Sequence, residues 1–328
     1  MTPQAKQWNT QLRRASFFRS EGRLVSAQNV LTANLRAEVG ELCEIKTNDP
    51  LPTIGEVIGF RDGHAQIMPF RACDRVRVGL PVLGLRQRIR VPVGTGLLGR
   101  ILNGLGDPID TESPLRGVQY VNLASSPPPA LSRPRITQPL VTGLRVVDAL
   151  ITLGLGQRLA LMAGSGVGKS TFLGEIAKNS NADVNVVALI GERGREVRPF
   201  LDDCLGKKGR EKSVVVVSTS DEKPLMRLRA ADTAMAIADH FRSQGKHVLF
   251  LLDSITRLAT AQREIGLSSG EPPTQNGFTP SVFQMMADLL EQMGTAANGS
   301  ISSIISVLVE GDDFDEPISD AVRSIADG

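Results

Sequence analysis

The sequence predicts an α/β protein: a nucleotide domain on a mostly parallel sheet, preceded by a small β-barrel. Three observations predict it. From Val141 onward, strand-like and helix-like runs alternate. The first strong strand of that region leads into a glycine-rich loop, Ala163–Ser170, which opens a helix. Upstream, between Arg23 and Leu85, several short β-runs are broken by turns, the pattern of a small barrel.

The chain has 328 residues, enough for two domains. Hydrophobic residues make up 41% of it, which argues against disorder. Aromatics are only 4%, too few for stacking platforms that hold single-stranded nucleic acid. The 37 Lys and Arg nearly balance the 35 Asp and Glu, so no global field favours nucleic acid or anionic lipid. Cys43, Cys73 and Cys204 fit neither a disulfide framework nor zinc spacing, which points to a reducing, cytosolic compartment. The N-terminus has no apolar core of signal-peptide length, and no apolar run approaches the roughly 20 residues of a membrane span. Any membrane association is therefore expected to be peripheral.

The expected domains follow in order. Residues 1–22 read as a helical or flexible lead-in, with Leu12, Phe17 and Phe18 available for a partner or simply frayed. Residues 23–88 read as the barrel. Within them Ile54–Phe60 and His64–Phe70 flank Asp62-Gly63, a strong hairpin signal. Val76–Val78 and Val82–Leu85 are further strand candidates. Residues 89–140 read as a linker and lead-in. Pro127, Pro128, Pro129, Pro134 and Pro139 make its second half a stiff connector, since proline forbids helix interior and central strand.

Residues 141–328 read as the nucleotide domain. Its strand candidates are Arg158–Met162, Val184–Ile190, Val214–Ser218, Val248–Leu252 and Ile301–Val309. Most are near-continuous apolar runs, as expected when both sheet faces are covered. Leu225, Leu228, Ala231, Met235, Ala238 and Phe241 recur at helical spacing, and Gly245 closes that helix. Thr279-Pro280 opens another helix and Gly294 closes it.

The loop Ala163-Gly-Ser-Gly-Val-Gly-Lys169-Ser170 carries the chemistry. Its glycines let successive amides point inward at an anion, at the start of a helix. Lys169 supplies charge for the β- and γ-phosphates of ATP, and Ser170 a hydroxyl for Mg²⁺. The strictest form of the motif begins with Gly, and Ala163 departs from it mildly. Two strand ends supply carboxylates. Val184–Ile190 leads to Gly191-Glu192-Arg193, where Glu192 is placed to orient or polarise the attacking water and Arg193 to sense the terminal phosphate. Taken alone, this run fits a solvated charge cluster capping the next helix equally well. Val248–Leu252 ends in Asp253, the strand-end acid that holds Mg²⁺. Arg257 contacts phosphate or pairs with an acid such as Glu264. Asp221 reads as structural. His64, His240 and His247 lack metal-ligand spacing, so no chemistry is assigned to them.

Longer stretches carry a resemblance. TGLRVVDALITLGLGQRLALMAGSGVGKSTFL (142–173), ALIGERGREVRPFLDDCLG (188–206), STSDEKPLMRLRAADTAMAIADHFRSQGK (218–246), LLDSITRLATAQREIGLSSGEPP (251–273) and VPVGTGLLGRILNGLGDPID (91–110) resemble the catalytic ATPases of type III protein export. Among these the sequence is most similar to the flagellum-specific ATP synthase-like branch, with the virulence injectisome ATPases second. The resemblance implies a RecA-like P-loop domain behind the barrel, as in the rotary ATP synthase catalytic subunit. It implies a phosphate loop of Gly164, Ser165, Gly166, Val167, Gly168, Lys169, Ser170 and Thr171. It also implies Glu192 as catalytic glutamate with Arg193 beside it, and Asp253 with Ser170 at magnesium. A homohexamer is implied, with a stator-like regulator, a stalk protein and substrate–chaperone complexes as partners, at the cytoplasmic face of the inner membrane. Family members continue past AVRSIADG with a helical domain, a neighbour-directed arginine and an adenine-stacking residue. A C-terminally truncated chain with low turnover is therefore expected here, because such an arginine is worth roughly 10³–10⁵ in rate.

Three other functions compete. One is a nucleotide-binding but poorly catalytic scaffold, disfavoured by Lys169, Glu192 and Asp253 together. Another is a hexameric RNA translocase, disfavoured by charge balance and few aromatics. The last is a proton-driven ATP synthase subunit, disfavoured by GERGREV.

Overall fold

A computed structural model describes residues 20–47, 52–73, 75–123, 126–164, 166–309, 311 and 314–328. The lead-in to residue 19, with Leu12, Phe17 and Phe18, and Ser165 of the phosphate loop lie outside the described residues. Backbone contacts divide the chain into two compact units that meet between Ile89 and Arg90.

The first unit is a closed six-stranded barrel. Its strands are β1 (Glu21–Ala27), β2 (Leu31–Ala33), β3 (Leu42–Ile45), β4 (Thr53–Arg61), β5 (His64–Pro69) and β6 (Pro81–Gly84). They run in the order β1-β2-β5-β4-β3-β6, and β6 pairs with β1 to close the ring. Leu24, Leu31, Ile45, Val57, Ile67 and Val82 fill the interior. The β4–β5 hairpin turns at Asp62 (φ 49°) and Gly63 (φ 77°), both left-handed as a two-residue hairpin turn requires. Val76–Val78 is not a strand. The run reaches only three residues before the Val78–Gly79 turn, where Gly79 takes φ 87° and Val78 is exposed.

The second unit begins with β7 (Arg90–Val93), β8 (Ile101–Leu102) and β9 (Gln119–Asn122). β7 and β9 form a two-stranded ribbon, while β8 joins the edge of the main sheet beside Val215 and Val216. Of residues 89–140, read above as a linker and lead-in, all from Arg90 onward thus belong to this unit. Its strands have two to four residues, too short for a periodic signal. The proline-rich part is also pinned: the Arg133 guanidinium donates to the Met293 carbonyl at 3.1 Å, and the Thr295 hydroxyl to the Pro134 carbonyl at 2.8 Å.

The two-stranded pair β10 (Pro139–Leu140) and β11 (Leu153–Gly154) flanks α1 (Arg145–Leu150). The main sheet then takes β12 (Arg158–Ala163), β13 (Val184–Glu192), β14 (Ser213–Thr219), β15 (His247–Asp253), β16 (Gly294–Thr295) and β17 (Ser300–Leu308). Its order is β12-β17-β15-β13-β14-β8, all parallel, with β16 antiparallel beside β17. The core strands β13, β15 and β17 are buried along nearly their whole length, which explains the long apolar runs of β13 and β15. The predicted α/β class holds.

The helices are α2 (Lys169–Asn179), α3 (Gly194–Pro199), α4 (Gly206–Glu211), α5 (Pro224–Ser243), α6 (Ile255–Ser268), α7 (Pro280–Gln292) and α8 (Pro317–Ile325). A π-helical turn, Phe200–Leu205, joins α3 to α4. Leu173, Ile176 and Ala177 of α2 pack with Phe200, Leu201 and Leu205 of that turn over β13 and β14. The approach is closest at Gly174, where a Cβ would lie 2.4 Å from the Cys204 carbonyl oxygen. Neither backbone segment can withdraw cheaply. Gly174→Ala is therefore expected to cost about 1–3 kcal/mol, read as a lower melting temperature. An unchanged melting temperature would contradict this packing.

Candidate active site

The site lies at the carboxyl ends of β12, β15 and β13, where open parallel sheets bind ligands. The loop after β12 turns through Gly166 (φ 82°) and Gly168 (φ 93°), conformations that side chains disfavour. A Cβ added at either would meet nothing within 4 Å, so both glycines border open space. Lys169 begins α2 and folds back over this loop. Its ammonium donates to the Ala163 carbonyl at 2.9 Å and to the Gly164 carbonyl at 3.1 Å. Burial pushes its pKa below the usual lysine value, while Asp253 and Glu192 pull it back up. Val167, Ser170 and Thr171 are exposed beside it.

Asp253 ends β15 and is 5% exposed. Burial pushes its pKa up, against the Ser306 hydroxyl, Lys169 and Arg257. Glu192 ends β13, with its side chain 14% exposed. Burial, then the Asp253 carboxylate, push its pKa up to about 7, while Arg257 works the other way and Glu196 adds to the rise. Glu192 is thus a half-buried carboxyl facing a second acid rather than a member of a solvated cluster. The Arg193 side chain is exposed and pairs with Glu196 at 3.4 Å, at the start of α3.

Arg257 on α6 does not pair with Glu264, which binds Arg227 at 3.2 Å instead. Its Nε lies 3.2 Å from Glu192 Oε1, close in distance without hydrogen-bond alignment. Its Nη1 donates to the Gly191 carbonyl at 2.5 Å. Gly191 has φ 69°, and a Cβ there would lie 2.9 Å from Arg257 Cβ, so only glycine admits the arginine this close. Sequence spacing suggested a helical partner seven residues away; the actual partner comes from another strand.

The set of oxygens suits a hard divalent cation. Among the described residues, no group of three or more His, Cys, Asp or Glu is placed to hold a metal unaided. Mg²⁺ needs only one or two carboxylates when phosphate oxygens complete its shell. Asp253 and the Ser170 hydroxyl are the groups that would provide that remainder, beside a loop whose glycines face open space.

Residues 143–328 match the ATP synthase alpha/beta family, nucleotide-binding domain. This chain belongs to that family. Within it, the chain is 47% identical over 294 residues to the flagellum-specific ATP synthase of Bacillus subtilis, covering 89% of this chain and 67% of that protein. It is 46% identical over 290 residues to the SPI-2 type 3 secretion system ATPase of Salmonella typhimurium, covering 88% and 66%. The assembled ATPase EscN of the enteropathogenic E. coli type III secretion system superposes with a TM-score of 0.86 at 41% identity, over 94% of this chain and 74% of that one. The same ATPase in complex with its central stalk EscO matches at 0.84. The chain spans about two thirds of the length of the curated relatives it matches. As a member of the ATP synthase alpha/beta family it is an ATP-binding ATPase.

The buried acids of this ATPase fold make its stability depend on pH. The Glu192 carboxyl titrates near 7 in the folded chain against an ordinary value of 4.5. A raised carboxylate costs nothing while protonated in both states. The penalty grows as pH rises from about 4.5 to about 7 and is complete above that. Without nucleotide or divalent metal, the wild-type chain is expected to lose on the order of 2–3 kcal/mol across that window. Glu192→Gln should flatten the loss. Parallel melting curves of both proteins from pH 5 to 8 would refute the assignment.

Proposed function

We propose that this chain energises protein export through a flagellar type III secretion apparatus by hydrolysing Mg-ATP at the site just described. The observation that carries the reading is the convergence of Lys169, Asp253 and Glu192 on one end of one sheet, in a chain of this family. The backbone amides of Gly164–Thr171 and the Lys169 ammonium hold the phosphates. Ser170 and Asp253 would hold Mg²⁺, which supplies charge neutralisation at the β- and γ-phosphate oxygens. Glu192 orients the attacking water and takes up its proton, with a pKa near the operating pH. Arg193 turns from Glu196 to the terminal phosphate. Arg257 holds Glu192 and the Gly191 carbonyl in register.

The working form in this proposal is a homohexamer with ATP between subunits, supported by the assembled form of EscN. Its partners are a stalk protein, as EscO is for EscN, a stator-like regulator and substrate–chaperone complexes. Nucleic acid is not among them, given the balanced charge. Among the described residues no helix is long and apolar enough to cross a membrane, so the proposed place is peripheral, at the cytoplasmic face of the inner membrane.

Relatives named type 3 secretion system ATPases support a second reading, export through an injectisome. Deleting the gene in its own host separates the two. The flagellar reading expects flagellar subunits to vanish from the medium and motility to be lost. Unchanged motility with lost effector secretion would transfer the function to the injectisome.

A further inference from the structure

Strand β17 is nine residues long and almost wholly buried, yet it carries four serines: Ser300, Ser302, Ser303 and Ser306. A buried hydroxyl without a partner costs about 1–3 kcal/mol, so each of them calls for an explanation. Two are explained by local structure. Ser300 Oγ lies 2.9 Å from the His247 ring, and Ser302 Oγ accepts the Gly156 amide at 2.7 Å. The Ser303 hydroxyl has no partner and nothing nearby in the site accounts for it.

Ser306 differs because of where the register puts it. β15 and β17 pair in parallel from His247↔Ser300 through Leu252↔Ile305. The next step along both strands is Asp253 beside Ser306. Side chains at matched positions of adjacent parallel strands share a face of the sheet. Ser306 is fully buried, on the sheet face that its register shares with Asp253. It nevertheless completes no hydrogen bond of normal geometry. Among the described residues, then, a fully buried donor sits next to a 5%-exposed carboxylate with its bond still to be closed.

We infer that Ser306 is a positioning residue for Asp253: its hydroxyl donates to the carboxylate oxygen turned away from the cation, fixing the other oxygen toward it. This inference rests on the proposed role of Asp253 as the acid at the divalent ion. A carboxylate has two oxygens and several lone pairs, so holding one leaves the other free to face a cation or its water. Such outer partners fix the orientation of a ligand, and losing one typically costs about 10–100-fold in metal affinity. Ser306 is 0% exposed, so its action runs through the carboxylate. Its effect is expected in the divalent-ion dependence and not in nucleotide grip as such.

The test uses the full chain and a fluorescent ADP analogue, measured in EDTA and then titrated with Mg²⁺ or Mn²⁺. Ser306→Ala should bind the analogue in EDTA as the wild type does. Its half-saturating Mg²⁺ should rise on the order of tenfold. Ser306→Thr, which keeps the hydroxyl, should stay near wild type. Asp253→Asn is run alongside. If Asp253→Asn shifts the Mg²⁺ dependence and Ser306→Ala does not, the inference fails and the site reading stands. If neither shifts it, both fail. If Ser306→Thr loses as much as Ser306→Ala, the effect is packing, and the inference is overturned. Thermal melts of each variant confirm that folded protein is compared.

Discussion

Glu192→Gln is expected to lower steady-state phosphate release by about 10²–10⁴-fold while leaving ATP bound, the range that removal of a general base produces. Glutamine keeps the size and the acceptor oxygen of the side chain but cannot take up a proton. It also keeps a neutral group where the wild-type carboxyl is pushed up to about 7 by burial and Asp253. The half-buried pocket should therefore accept the amide without collapse. Phosphate release and binding of a fluorescent nucleotide are measured on the same preparation. Unchanged turnover with unchanged binding would remove Glu192 from the chemistry and move the protein toward a nucleotide-holding scaffold. The wild-type rate should also rise with pH through the titration of this carboxyl, because the base acts only when ionised.

Lys169→Ala should be as damaging, by a different signature. The lysine bridges the Ala163 and Gly164 carbonyls and lies close enough to Asp253 and Glu192 to feel both charges. Removing it takes away the mobile cation that follows charge onto the γ-phosphate, an electrostatic donor worth about 10²–10³ in rate. Unlike Glu192→Gln, this change should also weaken binding of the triphosphate more than that of the diphosphate. It leaves two buried acids without their nearby ammonium, so their pKa values should climb further. Competition titrations with ATP and ADP read the difference. Equal loss of both nucleotides would place Lys169 away from the terminal phosphate.

Much of this arrangement was legible in the sequence because parallel strands covered on both faces leave long apolar runs. β13, β14 and β15 do so; the polar ends of β13 and β15 announce Glu192 and Asp253, and the glycine-rich loop after β12 announces Lys169. What escaped notice has physical reasons. The two-residue strand β8 and the four-residue strands β7 and β9 are too short for any period to appear. Val76–Val78 has strand composition, but the turn at Gly79 ends it before a ladder forms. Arg257 sits two helical turns from Glu264, so helical periodicity favours the wrong acid; Glu192, its real partner, is distant in sequence. A signal for Ser306 did exist. Serines at four positions of one buried strand are unusual, and reading Ile301–Val309 as merely apolar passed over them.

The strand order has one more consequence. The proposed phosphate loop follows β12, and Glu192, the proposed water-orienting carboxylate, ends β13, with β17 and β15 between them. Three inter-strand steps set the two tips about 14 Å apart. That gap belongs to the sheet's hydrogen-bond ladder and not to any flexible loop. The sheet therefore acts as a caliper: a small change in its twist alters the opening between jaw and jaw, while each jaw keeps its own shape.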